Sequence, residues 1–368
     1  MILVTGGTGF VGQEVIKELV TLGYRIRVLV RDPRRAQRFA NHSPIELVQG
    51  DALKPETLPA AMLGVQAVIH LIGIIVETPR VTYEQAHVEA TGNLLAAARE
   101  AGVTRWIQMS AAGTRPHASS RYHLTKWRAE ELVRQSGFDW TILRPSLIYG
   151  YDERDRLLNL IRKFLSKPLN LLSLHSFPLL DGGLPLIQPV SVREVAYCFA
   201  HGLSKEASIG RTFELVGPVA FSWREMVQKI AVALGQSAIY EEIPLLLILR
   251  ALLWVAVGVL PLALMTGLIT GKLGLIGIAI GAALWAILVV IACRWTELII
   301  FNMPGEPIRI ASEGLDLIAP HGLRFSDVLK MAGEDNIGDP GPAAKTFGYE
   351  PESFEQGLAK IYGLKSIL

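Results

Sequence analysis

One stretch near the start, Thr5-Gly6-Gly7-Thr8-Gly9-Phe10-Val11-Gly12, constrains this chain more than any other. It follows the apolar run Ile2-Leu3-Val4 and leads into a segment whose apolar residues, Val11, Val15, Ile16, Leu19 and Val20, recur at the spacing of one helix face. A strand, a glycine turn and an amphipathic helix in this order make a dinucleotide-binding turn. Gly6 and Gly9 let the backbone bend tightly and approach a pyrophosphate, and Gly12 lets the helix pack close to the sheet. The free N–H groups at the helix start then face the phosphates. Gly6, Thr8, Gly9, Phe10, Val11 and Gly12 are the candidate cofactor contacts here.

The alternation continues. Short apolar runs at 1–5, 25–30, 45–49, 66–71, 105–110 and 139–144 read as strands, and helical patterns fill 10–22, 33–40, 56–63, 83–102 and 121–136. Strands alternating with helices predict an α/β fold, a doubly wound parallel sheet of the Rossmann type, over residues 1–150. Ligands of such sheets lie beyond the carboxyl ends of the strands, so chemistry is sought there.

At the tip of the second strand stands Val30-Arg31-Asp32-Pro33-Arg34-Arg35. An acidic residue at this place bonds the ribose 2′-hydroxyl of NAD, whereas an arginine accommodates a 2′-phosphate. Arg31 with the Arg34/Arg35 pair favours NADP(H), and Asp32 keeps NAD as the less favoured alternative. Asp51 and Ala52 follow the third strand, where a carboxylate can accept the adenine amino group. His70-Leu71 closes the fourth; Leu71 is placed along the cofactor's ribose side and His70 reads as a packed strand-end residue. After the fifth strand, Tyr122 and Lys126 open a helix at i and i+4, one face. An ammonium beside a phenol is expected to lower its pKa toward working pH, making Tyr122 a general acid or base.

The remaining 218 positions of the 368-residue chain carry a second signal. Residues 245–271 hold one charge, Arg250, and 273–293 hold none, with Lys272 between them. Each run reaches the roughly 20 residues that cross a hydrocarbon core of about 30 Å. They account for much of the mean hydropathy of +0.34. Gly267/Gly271 and Gly277/Gly281 have the small-xxx-small spacing that permits close helix contact. The expectation is a transmembrane helical hairpin over 244–296, inserted between a substrate-side subdomain (151–243) and a C-terminal return segment (297–368) whose last helix begins near Ser353. Thirty-six basic against 34 acidic residues leave no field that points to nucleic acid. Cys198 and Cys293 have neither disulfide nor metal-ligand spacing, no metal is expected, and a reducing compartment is the default. Met1 opens straight into the first strand, so no signal peptide is expected.

These residues together, Gly6, Gly9, Gly12, Asp51, Tyr122, Lys126 and the strand end Leu143-Arg144-Pro145-Ser146-Leu147-Ile148-Tyr149-Gly150, resemble the short-chain dehydrogenase/reductase superfamily in its extended or atypical branch, the one that includes NAD-dependent epimerases and dehydratases. Ser120-Arg121-Tyr122, Gln188-Pro189-Val190, Phe213-Glu214-Leu215-Val216-Gly217-Pro218, Phe347-Gly348 and Ser353-Phe354-Glu355-Gln356-Gly357-Leu358 are similar, more narrowly, to the nucleotide-binding accessory subunit of respiratory complex I and its bacterial relatives. The likeness covers residues 1 to about 240 and 330–361. It implies Pro145 as a further cofactor contact, Lys126 on the nicotinamide ribose, and a substrate-polarising hydroxyl. That hydroxyl's place falls on Ala112, leaving Ser110 or Thr114 as substitutes, and His87 stands where many relatives carry Asn.

Two functions are expected from this. The first is a membrane-anchored, NADP(H)-dependent reductase, dehydrogenase or epimerase acting on a quinone or prenyl-type lipid, with Tyr122, Lys126 and Ser110 catalytic. The second is a non-catalytic NADPH-binding accessory or assembly subunit of a respiratory complex, favoured by Ala112. Because the tail resemblance places the return segment on the same body as residues 1–240, the apolar stretch is expected to cross a cell membrane twice with the globular part cytoplasmic; Arg250 and Arg294 near its ends agree weakly.

Overall fold

The computed structural model describes residues 1–39, 44–150, 176–236, 238–241, 298–303 and 325–363, with isolated positions at 159, 252, 260–261, 280–285, 287, 312 and 316. In chain order the elements are β1 (Ile2–Thr5), α1 (Phe10–Thr21), β2 (Ile26–Val30), a 3₁₀ turn (Pro33–Phe39), β3 (Ile45–Gln49), α2 (Leu58–Met62), β4 (Ala67–His70), α3 (Ala90–Glu100), β5 (Arg105–Met109), α4 (Arg121–Arg134) and β6 (Asp139–Pro145). There follow β7 (Ile148–Tyr149), β8 (Ser176–Leu180), β9 (Leu186–Ile187), β10 (Val190–Ser191), α5 (Val192–His201), β11 (Arg211–Leu215), β12 (Phe221–Ser222), α6 (Trp223–Ala233), β13 (Ala238–Glu241), β14 (Leu298–Met303), α7 (Phe325–Ala332), α8 (Gly341–Phe347) and α9 (Phe354–Tyr362).

Seven parallel strands form the main sheet in the order β11-β6-β5-β4-β1-β2-β3. The first six sit where apolar runs placed them. The seventh, β11, pairs with β6 from Arg211↔Thr141 to Leu215↔Pro145 and is not among the expected strands, although Thr212-Phe213-Glu214-Leu215 alternates polar with apolar. Strand order reverses at β1, whose neighbours are β2 and β4, which opens the crevice a ligand occupies.

Period-two alternation sorts side chains between two cores. Ile2 and Val4, Val28 and Val30, Ile69, Ile107 and Leu143 face one cluster with α1 and α5. Leu3, Leu29, Val68, Trp106 and Ile142 face the other, with α2, α3 and Val133 of α4. Both faces are covered, so the central strands β1 and β4 are almost wholly apolar, while β2, β3, β5, β6 and β11 each admit polar residues such as Arg27, Glu46, Gln108, Thr141 and Glu214. The return segment belongs to the first core: Phe347 packs edge-to-face on Phe213 with centroids 5.2 Å apart. Ser353 begins α9 with a capping box to Gln356, and Phe354 meets Tyr149 at 4.9 Å.

The chain divides into two compact units, Met1–Leu158 with Pro185–Ser222 and Glu306–Ser366, and Asn159–Leu184 with Trp223–Gly305 and Ile367–Leu368. In the second, β13, β14 and β8 make a parallel three-stranded sheet, and the guanidinium of Arg224 lies 3.5 Å over the Tyr240 ring. Among the described residues no helix is long and apolar enough to cross a membrane. The hairpin expected over 244–296 lies outside the described residues apart from isolated positions, where Leu252, Ile280, Leu284 and Ile287 are each more than half exposed.

Candidate functional site

The glycine turn is shaped by close approach. Gly6 has φ +71, and a Cβ there would stand 2.9 Å from the carbonyl carbon of Leu71. At Gly12 a Cβ would run into the oxygen of Gly6 and the Cα of Gly7. Only glycine meets both demands without displacing backbone. Gly9 N–H donates to Gly6 O at 3.0 Å, and the first intrahelical bond runs from Gln13 N–H to Gly9 O at 3.2 Å. The amides of Phe10, Val11 and Gly12 precede that bond, and α1 has no acidic residue in its first turn to compete for them. A bare backbone cradle at a helix N-terminus fits the pyrophosphate of a dinucleotide.

The strand ends stand alongside. Arg31 is exposed beyond β2, while Asp32 accepts from the backbone N–H and Nε of Arg34, both at 3.1 Å, so its carboxylate is partly occupied within the turn. Asp51 turns inward to accept Leu53 N–H at 3.1 Å, and Asn93 donates to Ala52 O at 2.9 Å. Leu71 N–H donates to Thr5 O at 3.2 Å, closing the gap between β1 and β4. His70 is fully buried within a directed chain. Thr91 donates to His87 O at 2.5 Å, so its hydroxyl oxygen accepts from His70 Nε2 at 3.1 Å, and His70 Nδ1 accepts from the Thr5 hydroxyl at 2.6 Å. Burial, then Lys126, brings this imidazole down to about 3; it is a neutral packing residue, as the sequence indicated.

Ser120 caps α4, accepting from His123 N–H at 3.3 Å, and the helix carries Tyr122 and Lys126 to the carboxyl end of β5. Lys126 is 4% exposed, with Nζ donating to Met109 O at 3.4 Å and lying 2.8 Å from where a Gly73 Cβ would stand. The protonation pattern differs from the expected one. Burial lowers Lys126 to about 8, with Glu130 opposing, and pushes the Tyr122 phenol up to about 12. Desolvation governs both groups, so Tyr122 is held protonated rather than poised to ionise.

Around that phenol stand Tyr83, His87 and His123, all edge-to-face, with centroids 5.8, 5.4 and 5.0 Å away. A π-helical turn, Glu84–Glu89, delivers His87 to Thr125, Nδ1 to Oγ1 2.9 Å, and to the backbone of Ile74 at 3.2 Å. Its pKa is lowered well below the usual imidazole value by burial. His87 therefore bridges the loop after β4 to α4. On the turn after β5, Ser110 and Thr114 are buried and their hydroxyls bond each other at 3.4 Å, while Ala112 is fully buried between them. Pro145 O accepts Ala112 N–H at 2.9 Å.

An outer layer was not legible from spacing. Arg121 donates to Glu77 at 2.9 Å and lies 3.7 Å from Asp327, both carboxylates being buried. Glu334 pairs with Arg115 at 2.8 Å, and Asn336 donates from Nδ2 to Ala112 O at 3.4 Å. Asp327, Glu334 and Asn336 come from the return segment, some 200 positions downstream, and no local motif marks them. Arg144, within the strand end that carries the resemblance, is committed to Glu130 (2.7 and 2.8 Å) and Glu214 (3.3 Å).

A parallel sheet of order 3-2-1-4-5-6 at its core with a glycine cradle at the first crossover defines a Rossmann-type nucleotide-binding fold, and α4 sets Tyr122 and Lys126 past the fifth strand. Residues 6–162 match the model of the NAD(P)H-binding family. It is 30% identical over 248 residues to NADH dehydrogenase (ubiquinone) 1 alpha subcomplex subunit 9, mitochondrial, of Arabidopsis thaliana, a match covering 66% of this chain and 60% of that protein. It is 29% identical over 247 residues to the NAD(P)H azoreductase of Xenophilus azovorans, covering 67% and 78%. In fold it resembles the NADPH-dependent quinone oxidoreductase of Escherichia coli complexed with NADPH, with TM-score 0.62, 18% identity and 99% of each chain covered.

Proposed function

We propose that this protein is a membrane-anchored NADP(H)-dependent reductase of a lipid-soluble carbonyl or quinone substrate. The observation that carries this is that α4 brings Tyr122, ringed by Tyr83, His87 and His123, and, one helical turn on, the buried Lys126 to the carboxyl end of β5. Burial pushes the phenol up to about 12 and lowers the lysine to about 8. Bound NADPH would supply the hydride. Tyr122 then serves as the proton donor to the substrate oxygen, since at neutral pH it is protonated. Lys126 is still charged below about pH 8 and favours the phenolate left behind. The Gly6–Gly12 turn holds the pyrophosphate, and exposed Arg31 beside the self-paired Asp32/Arg34 supports a 2′-phosphate at the β2 tip. Apolar side chains exposed at the few described positions of 252–287 support a bilayer anchor.

NADPH oxidation by the detergent-extracted full chain with lipid-soluble quinones tests this reading. Tyr122→Phe should lose about a hundredfold or more in rate while NADPH still binds. Equal rates in the two proteins remove Tyr122 from the mechanism.

A second reading has its own support in Ala112 and in the 30% identity to a complex I subunit: a body stabilised by permanently held NADPH that docks on a respiratory membrane complex. Ligand held at a hundred times its Kd adds about 2.7 kcal/mol of stability without turnover. Co-purification in mild detergent separates the two. A stable respiratory partner with no multiple-turnover NADPH consumption favours the second.

A further inference from the structure

The loop that follows β4 holds two large aliphatic side chains out to solvent at the mouth of the candidate site. Ile75 is 63% exposed and Val76, next to it in the chain, 45%. A single exposed aliphatic residue is ordinary on a protein surface; a consecutive pair on a braced backbone is not. Ile74 N–H donates to His87 Nε2 at 3.2 Å, and the hydroxyl of the buried Tyr83 donates to Ile75 O at 2.7 Å. On the other side the buried Glu77 accepts Tyr83 N–H at 2.7 Å and pairs with Arg121 at 2.9 Å. These bonds fix the loop with its apolar side chains outward.

The pair borders the candidate site. Gly73, two residues before Ile75, is exposed, and the Lys126 ammonium lies 2.8 Å from where its Cβ would stand. The Tyr83 ring meets the Tyr122 ring at 5.8 Å, and Leu124, two residues past Tyr122 on α4, is 37% exposed. The carboxylates that flank the pair in sequence, Glu77 and Glu84, are committed to Arg121 and Arg128. Arg80, exposed between the bridged residues Thr78 and Val81, has no ion pair among the described residues. An apolar tip with a cation beside it suits a phospholipid surface, where aliphatic side chains reach the acyl boundary and a guanidinium meets headgroup phosphate.

The chain itself keeps such a surface within reach. β13 ends at Glu241, just before the apolar run that opens at 245, and β14 begins at Leu298, just after the run that closes at 293. The four or five residue steps between them extend to at most about 18 Å. Ser222, in the unit that carries the loop, is followed directly by Trp223, in the unit that carries β13 and β14.

We propose that Ile75 and Val76 enter the interface of the bilayer that residues 245–293 anchor in, with Arg80 on headgroup phosphate, so that the candidate site opens at the lipid surface. The assignment rests on the anchor reading; under the reductase reading it lets a lipid-soluble substrate reach Tyr122 without crossing water. The test uses the full chain with Cys293→Ser, which leaves only the fully buried Cys198, and a bimane label on Val76→Cys. The protein is reconstituted into vesicles of phosphatidylcholine and phosphatidylglycerol. Leu63→Cys is the control, since Leu63 is 75% exposed and follows α2 at the opposite, amino-terminal edge of the sheet. Phospholipid with a nitroxide high on its acyl chain should quench bimane at 76 about twofold or more beyond bimane at 63, and aqueous iodide should do the reverse. Ile75→Cys should behave as Val76→Cys does and serves if the latter takes no label. Equal quenching at 76 and 63, or iodide reaching 76 as readily as 63, overturns the contact. Shielding of 76 in native membranes but not in vesicles of the purified chain identifies a protein partner instead and overturns it too. An alkaline carbonate wash separates the causes: a chain that stays with the vesicles yet shows 76 to iodide keeps its anchor and loses this contact, whereas a chain released by carbonate loses both.

Discussion

At the scale of single residues, burial decides protonation more than pairing does. His70, His123 and His87 all fold with pKa values below the ordinary 6.5, at about 3, at about 4 and well lowered, with burial the largest cause in each. The sign follows from the unfolded chain, which takes up protons first as pH falls. Stability is fully present above 6.5 and is lost as pH drops from there toward each folded value, by roughly 1 kcal/mol per pH unit per histidine. Glu194 acts oppositely. Burial raises it to about 6 from 4.5, so it recovers stability as pH falls through that narrower window. The three imidazoles outweigh Glu194 and Glu214, the second carboxyl that burial raises, and the urea midpoint of unfolding should be clearly lower at about pH 5 than at about pH 7.5. An unchanged midpoint would mean that these rings are charged in the fold.

At the scale of elements, α4 is fastened from beneath as well as loaded above. Glu130 is fully buried and receives Arg134 at 2.6 Å from its own helix and Arg144 at 2.7 Å from β6, and Arg144 reaches on to Glu214 of β11 at 3.3 Å. One carboxylate thereby holds α4 to β6, and the shared Arg144 extends the tie to β11. Removing it leaves cations in a mostly dry place, and Glu130→Leu should cost about 3 kcal/mol of unfolding free energy. Arg144→Gln should also destabilise, leaving NADPH affinity unchanged; weakened NADPH binding in a well-folded Arg144→Gln protein would make it an anion ligand rather than a strut. Equilibrium unfolding and nucleotide titration on the same samples measure both.

At the scale of the whole molecule, the apolar content of 245–293 has a consequence that fractionation reads. The full chain should stay with membranes through an alkaline carbonate wash and leave them only in detergent, as two runs of about 20 apolar residues require. Release into the carbonate supernatant would end the anchor reading. The two compact units bear on how the chain is organised, since residues expected as one substrate-side piece, 151–243, contribute to both: β11 joins the main sheet while β8, α6 and β13 belong to the second unit.

Local pattern alone was enough for the six N-terminal strands, the glycine turn and the start of α9 near Ser353. Each depends on spacing within a few residues: period two for a strand, 3.6 for a helix, a missing Cβ where backbone meets backbone. What only the tertiary structure decided involves distance along the chain. β11 enters the sheet because β6 leaves it an open edge, and Arg144 is a strut because Glu130 and Glu214 converge on it. Tyr122 stays protonated because desolvation acts through everything packed around it, and His123 and Asn336 meet at one turn only after the chain returns from its far end. Periodicity is a property of neighbours in sequence; pairing and desolvation are properties of neighbours in space.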